Sequence, residues 1–316
     1  MKLLKLVPDD TNIDFMRWRN IALILSILAT IASLVLVGVR GLNLGIDFVG
    51  GQLVRVTFER SIDIEQLRGQ IDRLQVGDAS IQEFGDSKTY QIRLPKPDGP
   101  DSASSAVVNK VRTFLAQQYP KATIGAGESV SGKVSGDVGK DRALSITFAM
   151  IGIALYIWFR FEWQFGVGAL ITLFHDVAMV LGFFALTQLP VDLNVVAAFL
   201  AIVGYSLNDT VVIYDRIREN MRKYRKMETV SLLNFSLNET LSRTIVTSLS
   251  IMLALAVLLI LGPPVLFGLT IAILLGTFIG TYSSIYISAP ALVWLGLKPD
   301  SFLKADDKEE PEAQPA

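Results

Sequence analysis

Apolar positions collect in six long runs, at 20–39, 143–159, 165–186, 191–213, 244–262 and 265–289. A helix needs about 20 apolar residues to cross roughly 30 Å of hydrocarbon, so each run predicts a membrane span. Between the first two runs, 40–142 carries the charges and turn residues that the runs lack, and its periods are different. Residues 52–58 alternate around Leu53, Val54 and Val56 as a strand, and 63–74 places Ile64, Leu67, Ile71 and Leu74 at helical spacing. Strands follow at 79–84 and 89–94 around a turn at 85–88. A second amphipathic helix at 102–119 repeats Val107, Val111, Phe114 and Leu115, and a last strand occupies 122–130. The order βαββαβ is the ferredoxin-like split pattern. The predicted fold is therefore an α-helical membrane protein with six transmembrane helices and one ferredoxin-like α+β domain outside the bilayer. The sheet face without helices has two readings: a surface for an extended ligand, or the back of a rigid spacer or docking domain.

The chain has 316 residues, 51% of them hydrophobic, with a net charge of −1 and a mean hydropathy of +0.45. Basic residues precede the first run, but 21–39 is longer than a signal-peptide core and 40–45 lacks a small-residue cleavage pattern, so it reads as a retained span. Arg216, Arg218, Arg222, Lys223, Arg225 and Lys226 cluster between spans four and five, whereas the turns at 187–190 and 263–264 carry no basic residue. The positive-inside rule then makes 1–19, 214–243 and 290–316 cytoplasmic and 40–142 exported. The 214–243 segment reads either as an amphipathic helix at the headgroups or as a solvated positive loop. Residues 131–142 read as a linker, and the acidic tail from 306 as disordered.

With no cysteine, disulfides, haem attachment and cysteine-ligated zinc are excluded, and a single histidine excludes a multi-histidine metal site. Gly132, Gly136, Gly139 and Lys140 superficially resemble a phosphate loop. The Walker pattern would need glycine at Val134 and a hydroxyl at Asp141, so no nucleotide-driven motor is expected. No metalloprotease or serine-hydrolase motif is present, and the chain is expected to be no enzyme and to hold no cofactor.

The chemistry sits inside the runs. Asp209 ends a stretch, 193–208, with no Asp, Glu, Lys, Arg or His, and Arg243 stands where the next apolar run begins. A lone charge at membrane depth costs roughly 2.5–3.5 kcal/mol on insertion scales, so each calls for a partner or a task. An acid and a base on successive spans read as a proton-responsive switch, or as a static ion pair that fixes helix register. His175 and Asp176, mid-span, are either a proton relay or a satisfied packing pair; adjacent helical positions face different directions and form no automatic dyad. Small and polar residues mark the faces expected to pack: Asn194, Ala198, Ala201, Tyr205 and Asp209 on span four; Arg243, Thr247, Ser250 and Ala254 on span five; Gly268, Ala272, Gly276, Gly280 and Ser284 on span six.

Two long motifs, GYSLNDTVVIYDRIREN at 204–220 and TLSRTIVTS at 240–248, together with GIDFVGG at 45–51, are similar to the SecD/SecF family of bacterial protein-export proteins, in its SecF members. That family belongs to the resistance-nodulation-division superfamily, and the resemblance runs from about 12 to 290. It implies a subunit of the bacterial inner membrane that pairs with SecD and associates with the SecYEG channel and YajC. Such a subunit spends the proton motive force on late-stage export of preproteins, with protons as the coupling ion and neither nucleotide nor nucleic acid involved. It also implies that Asp209 and Arg243 serve proton transport, and that the junction Gly45, Asp47, Gly50 and Gly51 transmits motion to the exported domain. Half of a proton-coupled small-molecule exporter, or a non-transporting scaffold, are the competing readings.

Overall fold

A computed structural model describes residues 8, 11–45, 48, 51–77, 79–95, 101–125, 128–130, 144, 148, 151–152, 162–263 and 266–297. Most of the expected span at 143–159, the linker at 131–142, the acidic tail from 306 and the junction residues Asp47 and Gly50 lie outside the described residues.

Among the described residues, five helical stretches are long and apolar enough to cross a membrane. The first opens with a 3₁₀ turn, Phe15–Trp18, whose start is capped by the Asp14 carboxylate accepting from the Arg17 amide, and continues as α1, Arg19–Arg40. It stops at Gly41, where φ is +72°. After the α+β domain come α4, Trp163–Thr187, and α5, Leu193–Lys223. Asp192 caps α5 by accepting from the Val195 amide at 2.9 Å. Then follow α6, Thr229–Leu261, and α7, Phe267–Ser283. A π-helical turn, Ser284–Ser288, joins α7 to α8, Ala289–Trp294. The turn has a local cause. Pro290 has no N–H to give and its ring crowds the carbonyl four residues back, so the hydrogen-bond ladder must widen there.

The bundle is built around α7, which packs on α4, α5 and α6, while α1 lies along α4. Contact is closest at glycine. A Cβ at Gly268 would lie 2.9 Å from Val195, one at Gly276 would lie 2.4 Å from Ile202, and one at Gly182 would lie 2.4 Å from the Ser33 hydroxyl. Backbones approach this closely because lipid supplies no hydrophobic drive between helices and dispersion must hold them together.

The 214–243 segment, read from sequence either as an amphipathic helix at the headgroups or as a solvated positive loop, is helical except at 224–228: α5 runs on to Lys223 and α6 begins at Thr229. The extensions are packed in a core in which Ile217, Met221, Leu232, Leu233 and Leu237 join Phe15 and Met16, and which continues into the bundle through Phe165, Tyr214 and Ile285. At about 1.5 Å per residue, helices of 31 and 33 residues outreach roughly 30 Å of hydrocarbon, so the charged hairpin projects beyond it.

The α+β domain forms one antiparallel sheet from β1 Gly51–Thr57, β2 Ser80–Phe84, β3 Asp86–Leu94, β4 Thr123–Ile124 and β5 Glu128–Val130. Two helices, α2 Ile64–Asp72 and α3 Asp101–Gln118, cover one face. The spatial order is β2-β3-β1-β4, with β5 pairing the other half of the same β1 edge. The last strand is thus two short pieces instead of one run. β3 begins earlier than expected because the Asp86 carboxylate accepts from the amides of Lys88 and Thr89, tightening the turn to Gly85 at φ +80°. Val54, Val56, Ile92, Leu94 and Tyr90 fill the core; the Tyr90 hydroxyl donates to the Ile62 carbonyl at 2.7 Å.

The sheet face opposite those helices is partly docked on the helical bundle. Arg93 donates to the Leu44 carbonyl at 2.8 Å, Asn43 donates to Gln82 at 3.0 Å, and the Phe84 ring meets Phe267 edge-on at 6.1 Å. Leu44 also bridges Val191 in parallel fashion, with the Gly45 amide donating to the Val191 carbonyl at 2.7 Å.

Candidate functional site

Where α5, α6 and α7 meet, Asp209 is half-buried. The Ser248 hydroxyl of α6 donates to its Oδ2 at 3.3 Å, and Thr281 of α7 donates to Ser248 at 2.8 Å. Arg243 stands exposed, and among the described residues no ion pair joins it to Asp209, although its charge acts on that carboxylate. The reason is register. α5 and α6 run antiparallel with Asp209 opposite Ser248, five residues and about 7.5 Å further along α6 than Arg243. The inward stripe of α6 is Thr240, Thr244 and Ser248, all buried, whereas Arg243 and Ser250 point outward. On α5, similarly, the buried line is Val195, Ala198, Ile202, Ser206 and Thr210, with Tyr205 42% exposed.

A second polar cluster lies one turn deeper. His175 and Asp176, adjacent on α4, are both buried and bonded to each other, Nδ1 to Oδ1 at 2.9 Å. Asp176 is fully enclosed; its Oδ2 accepts from Ser206 of α5 at 2.5 Å and from Ser283 of α7 at 2.9 Å. Burying a carboxylate is tolerable only with several such donors around it. His175 sits beside Tyr282, ring centres 6.5 Å apart, whose hydroxyl meets Ser26 of α1 at 3.0 Å.

The expected packing ladder of span six runs along α5: Gly268 against Val195, Gly276 against Ile202 and Gly280 against Ser206. Of the junction, Gly45 lies against Val191, and Gly51 opens β1 at φ +123°. Ser206, Ser248, Thr281 and Ser283 escaped the sequence reading. A signal existed for one of them, since Ser206 lies three residues before Asp209 and shares its helix face. The others sit on different helices, where only packing shows which hydroxyl turns inward. Among the described residues no group of three or more histidines, aspartates or glutamates is assembled that would hold a metal.

Residues 110–298 match the family "Protein export membrane protein SecD/SecF, C-terminal", and 35–62 match the "SecD/SecF GG Motif". The protein translocase subunit SecF of Rhodobacter capsulatus is 42% identical over 93% of this chain and 92% of its own length. That of Pseudomonas aeruginosa is 40% identical over 96% and 98%. The crystal structure of SecDF, a translocon-associated membrane protein from Thermus thermophilus, is 33% identical with a TM-score of 0.83, covering 91% of this chain. The chain spans only 39% of that SecDF polypeptide. By its names the family is one of translocation subunits, and its SecDF member carries the matching fold as part of a longer chain. With apolar spanning helices, both family segments and relatives near 40% identity over almost its whole length, the chain belongs to the SecD/SecF family of protein-export membrane proteins, among its SecF members.

Proposed function

We propose that this chain is the proton-responsive subunit of a protein-export assembly in the bacterial inner membrane, working with SecD beside the SecYEG channel and YajC to draw preproteins outward late in translocation. One observation carries the reading: Asp209, a half-buried carboxylate among apolar spans, has the Ser248 hydroxyl as its partner and, among the described residues, no ion pair with Arg243. A carboxylate so placed is destabilised by roughly 2.5–3.5 kcal/mol when charged, so taking up a proton removes a penalty that no ion pair among the described residues offsets. Each proton crossing about 100 mV releases roughly 2.3 kcal/mol, enough to bias α5 between two positions against α6. At its other end α5 follows Val191, which is bonded to Gly45, so its motion reaches the junction and the exported domain.

In this reading the chain crosses the membrane six times, 143–159 supplying the second span, and the exported domain is ferredoxin-like. Its basic hairpin and both termini lie in the cytoplasm, following the charge bias. Asp209 and Arg243 are the proton-transport residues, with His175 and Asp176 as a relay behind them.

The test is Asp209→Asn, which keeps shape and removes the titratable group. Export of a preprotein driven by the proton motive force should fall by about tenfold or more, with membrane insertion and co-purification of SecD unchanged. Export at the parental rate in that variant would refute proton coupling at this site and leave a scaffold.

A further inference from the structure

Beside Asp209 lies a small, partly open cavity of about 20 Å³, lined among others by Ser206, Asp209, Ser248, Thr277, Gly280 and Thr281. One water needs about 10–15 Å³, so the space takes one. Its wall is polar. Thr277 is 6% exposed, and its hydroxyl has no hydrogen-bond partner among the described residues. Buried hydroxyls without protein partners are the groups that ordered waters satisfy. On one side of the cavity stands Asp209; on the other stands Ser206, whose hydroxyl is already bonded to Asp176.

We infer that this cavity is a single-water site through which Asp209 exchanges protons with Asp176, making Asp176 a second, enclosed proton-binding residue. The inference rests on the proton-coupled reading above. The transfer balances without any co-reactant. Protonated Asp209 gives its proton to the water, the water gives one of its own to the Ser206 oxygen, and Ser206 releases its original proton to Asp176 Oδ2. Asp209 is left ionised, Asp176 neutral, and water and serine unchanged. Ser283 is arranged to permit this, since its one proton has two acceptors, Asp176 at 2.9 Å and the Gly280 carbonyl at 3.1 Å. When Asp176 fills, Ser283 turns to Gly280. The titratable groups facing the route are His175 on α4, Tyr205 on α5 and Tyr282 on α7; on α6 the charged Arg243 points outward, and α1 brings Ser26, on the Tyr282 hydroxyl.

Gly280 supplies the decisive variant. A Cβ there would lie 3.4 Å from Ser206 Cβ and 3.7 Å from Asp176 Oδ2, ordinary contact distances, so alanine fits while taking up space the water needs. The full chain with its SecD partner is reconstituted in liposomes holding a pH-sensitive dye, and proton influx is followed under an imposed potential. Gly280→Ala and Thr277→Val should each slow influx by about tenfold, Thr277→Ser should restore it, and Asp176→Asn should abolish it. Infrared difference spectra read the same point directly: the carboxyl band lost in Asp176→Asn should respond to external pH in the parent and stop responding in Gly280→Ala. Parental influx in Gly280→Ala, Thr277→Val and Asp176→Asn, with Asp209→Asn inactive, overturns this inference and leaves the proton-coupled reading standing. Parental influx in Asp209→Asn overturns the reading itself. Should Asp176→Asn fail to assemble, the two cavity variants decide, since neither removes a titratable group.

Discussion

At position 276 a methyl group would meet three atoms of Ile202 between 2.4 and 2.8 Å away, so the α5–α7 contact has no room for alanine unless that side chain moves. Overpacking of this kind costs about 1–3 kcal/mol. Gly276→Ala should therefore lower the midpoint of heat-induced loss of the monodisperse complex in detergent. Gly204→Ala, with nothing within 4 Å of its Cβ, should leave that midpoint nearly unchanged. A glycine ladder in a span is readable as a packing face; which rungs are tight depends on the partner helix. The same limit applies to charge. Asp209 and Asp176 stand out in sequence because charge inside an apolar run is costly, but the hydroxyls bonded to each come from neighbouring helices.

Among elements, the charged hairpin made by the ends of α5 and α6 departs furthest from its appearance in sequence. Arg216 grips Glu239 through two nitrogens at 2.7 and 2.6 Å, and Asn220 donates to the same carboxylate. The hydrogen bond from Arg216 is the largest influence holding the Glu239 carboxyl below its ordinary value, aided by Asn220 and opposed by burial. A depressed folded pKa stabilises the hairpin fully above the unfolded value, about 4.3, and that contribution is lost as pH falls through the folded value. Glu239→Gln should accordingly flatten the acid limb of thermal stability measured between pH 6 and 3. The 11–18 segment is strapped across this hairpin. Asn238 both accepts from the Ile13 amide at 2.8 Å and donates to the Ile13 carbonyl at 2.9 Å, while Asn234 accepts from the Phe15 amide. Asn238→Ala removes two bonds worth about 0.5–1.5 kcal/mol each. Faster hydrogen exchange confined to residues 11–16 is the expected outcome, read by mass spectrometry.

Across the whole molecule, the connection between the helical bundle and the α+β domain includes, among the described residues, the Leu44–Val191 bridge, the Arg93 and Asn43 hydrogen bonds and the Phe84–Phe267 contact. Contacts of this kind can hold an orientation and still be remade when α5 moves, which suits a joint between a proton-responsive bundle and a working domain. Arg93→Ala should uncouple the two. Proton influx should persist while export falls severalfold, and distances between spin labels on β2 and α7 should broaden. Narrow parental distances in that variant would remove Arg93 from the joint.

Apolar run length, charge segregation and the alternation of periods 2.0 and 3.6 determined, from sequence alone, that this is a membrane protein with one interposed α+β domain. Each of those features is set by transfer free energy and backbone geometry within a single segment. Where the spans end was less legible, because the hairpin helices continue on amphipathic patterns that hydropathy does not count. Tertiary structure alone decided that Asp209 faces Ser248 and makes no ion pair with Arg243 among the described residues, that Ser206, bonded to Asp176, lines a small cavity beside Asp209, and that the bare sheet face is docked. Those arrangements depend on the rotation and register of helices against one another, which close packing selects and no single segment encodes.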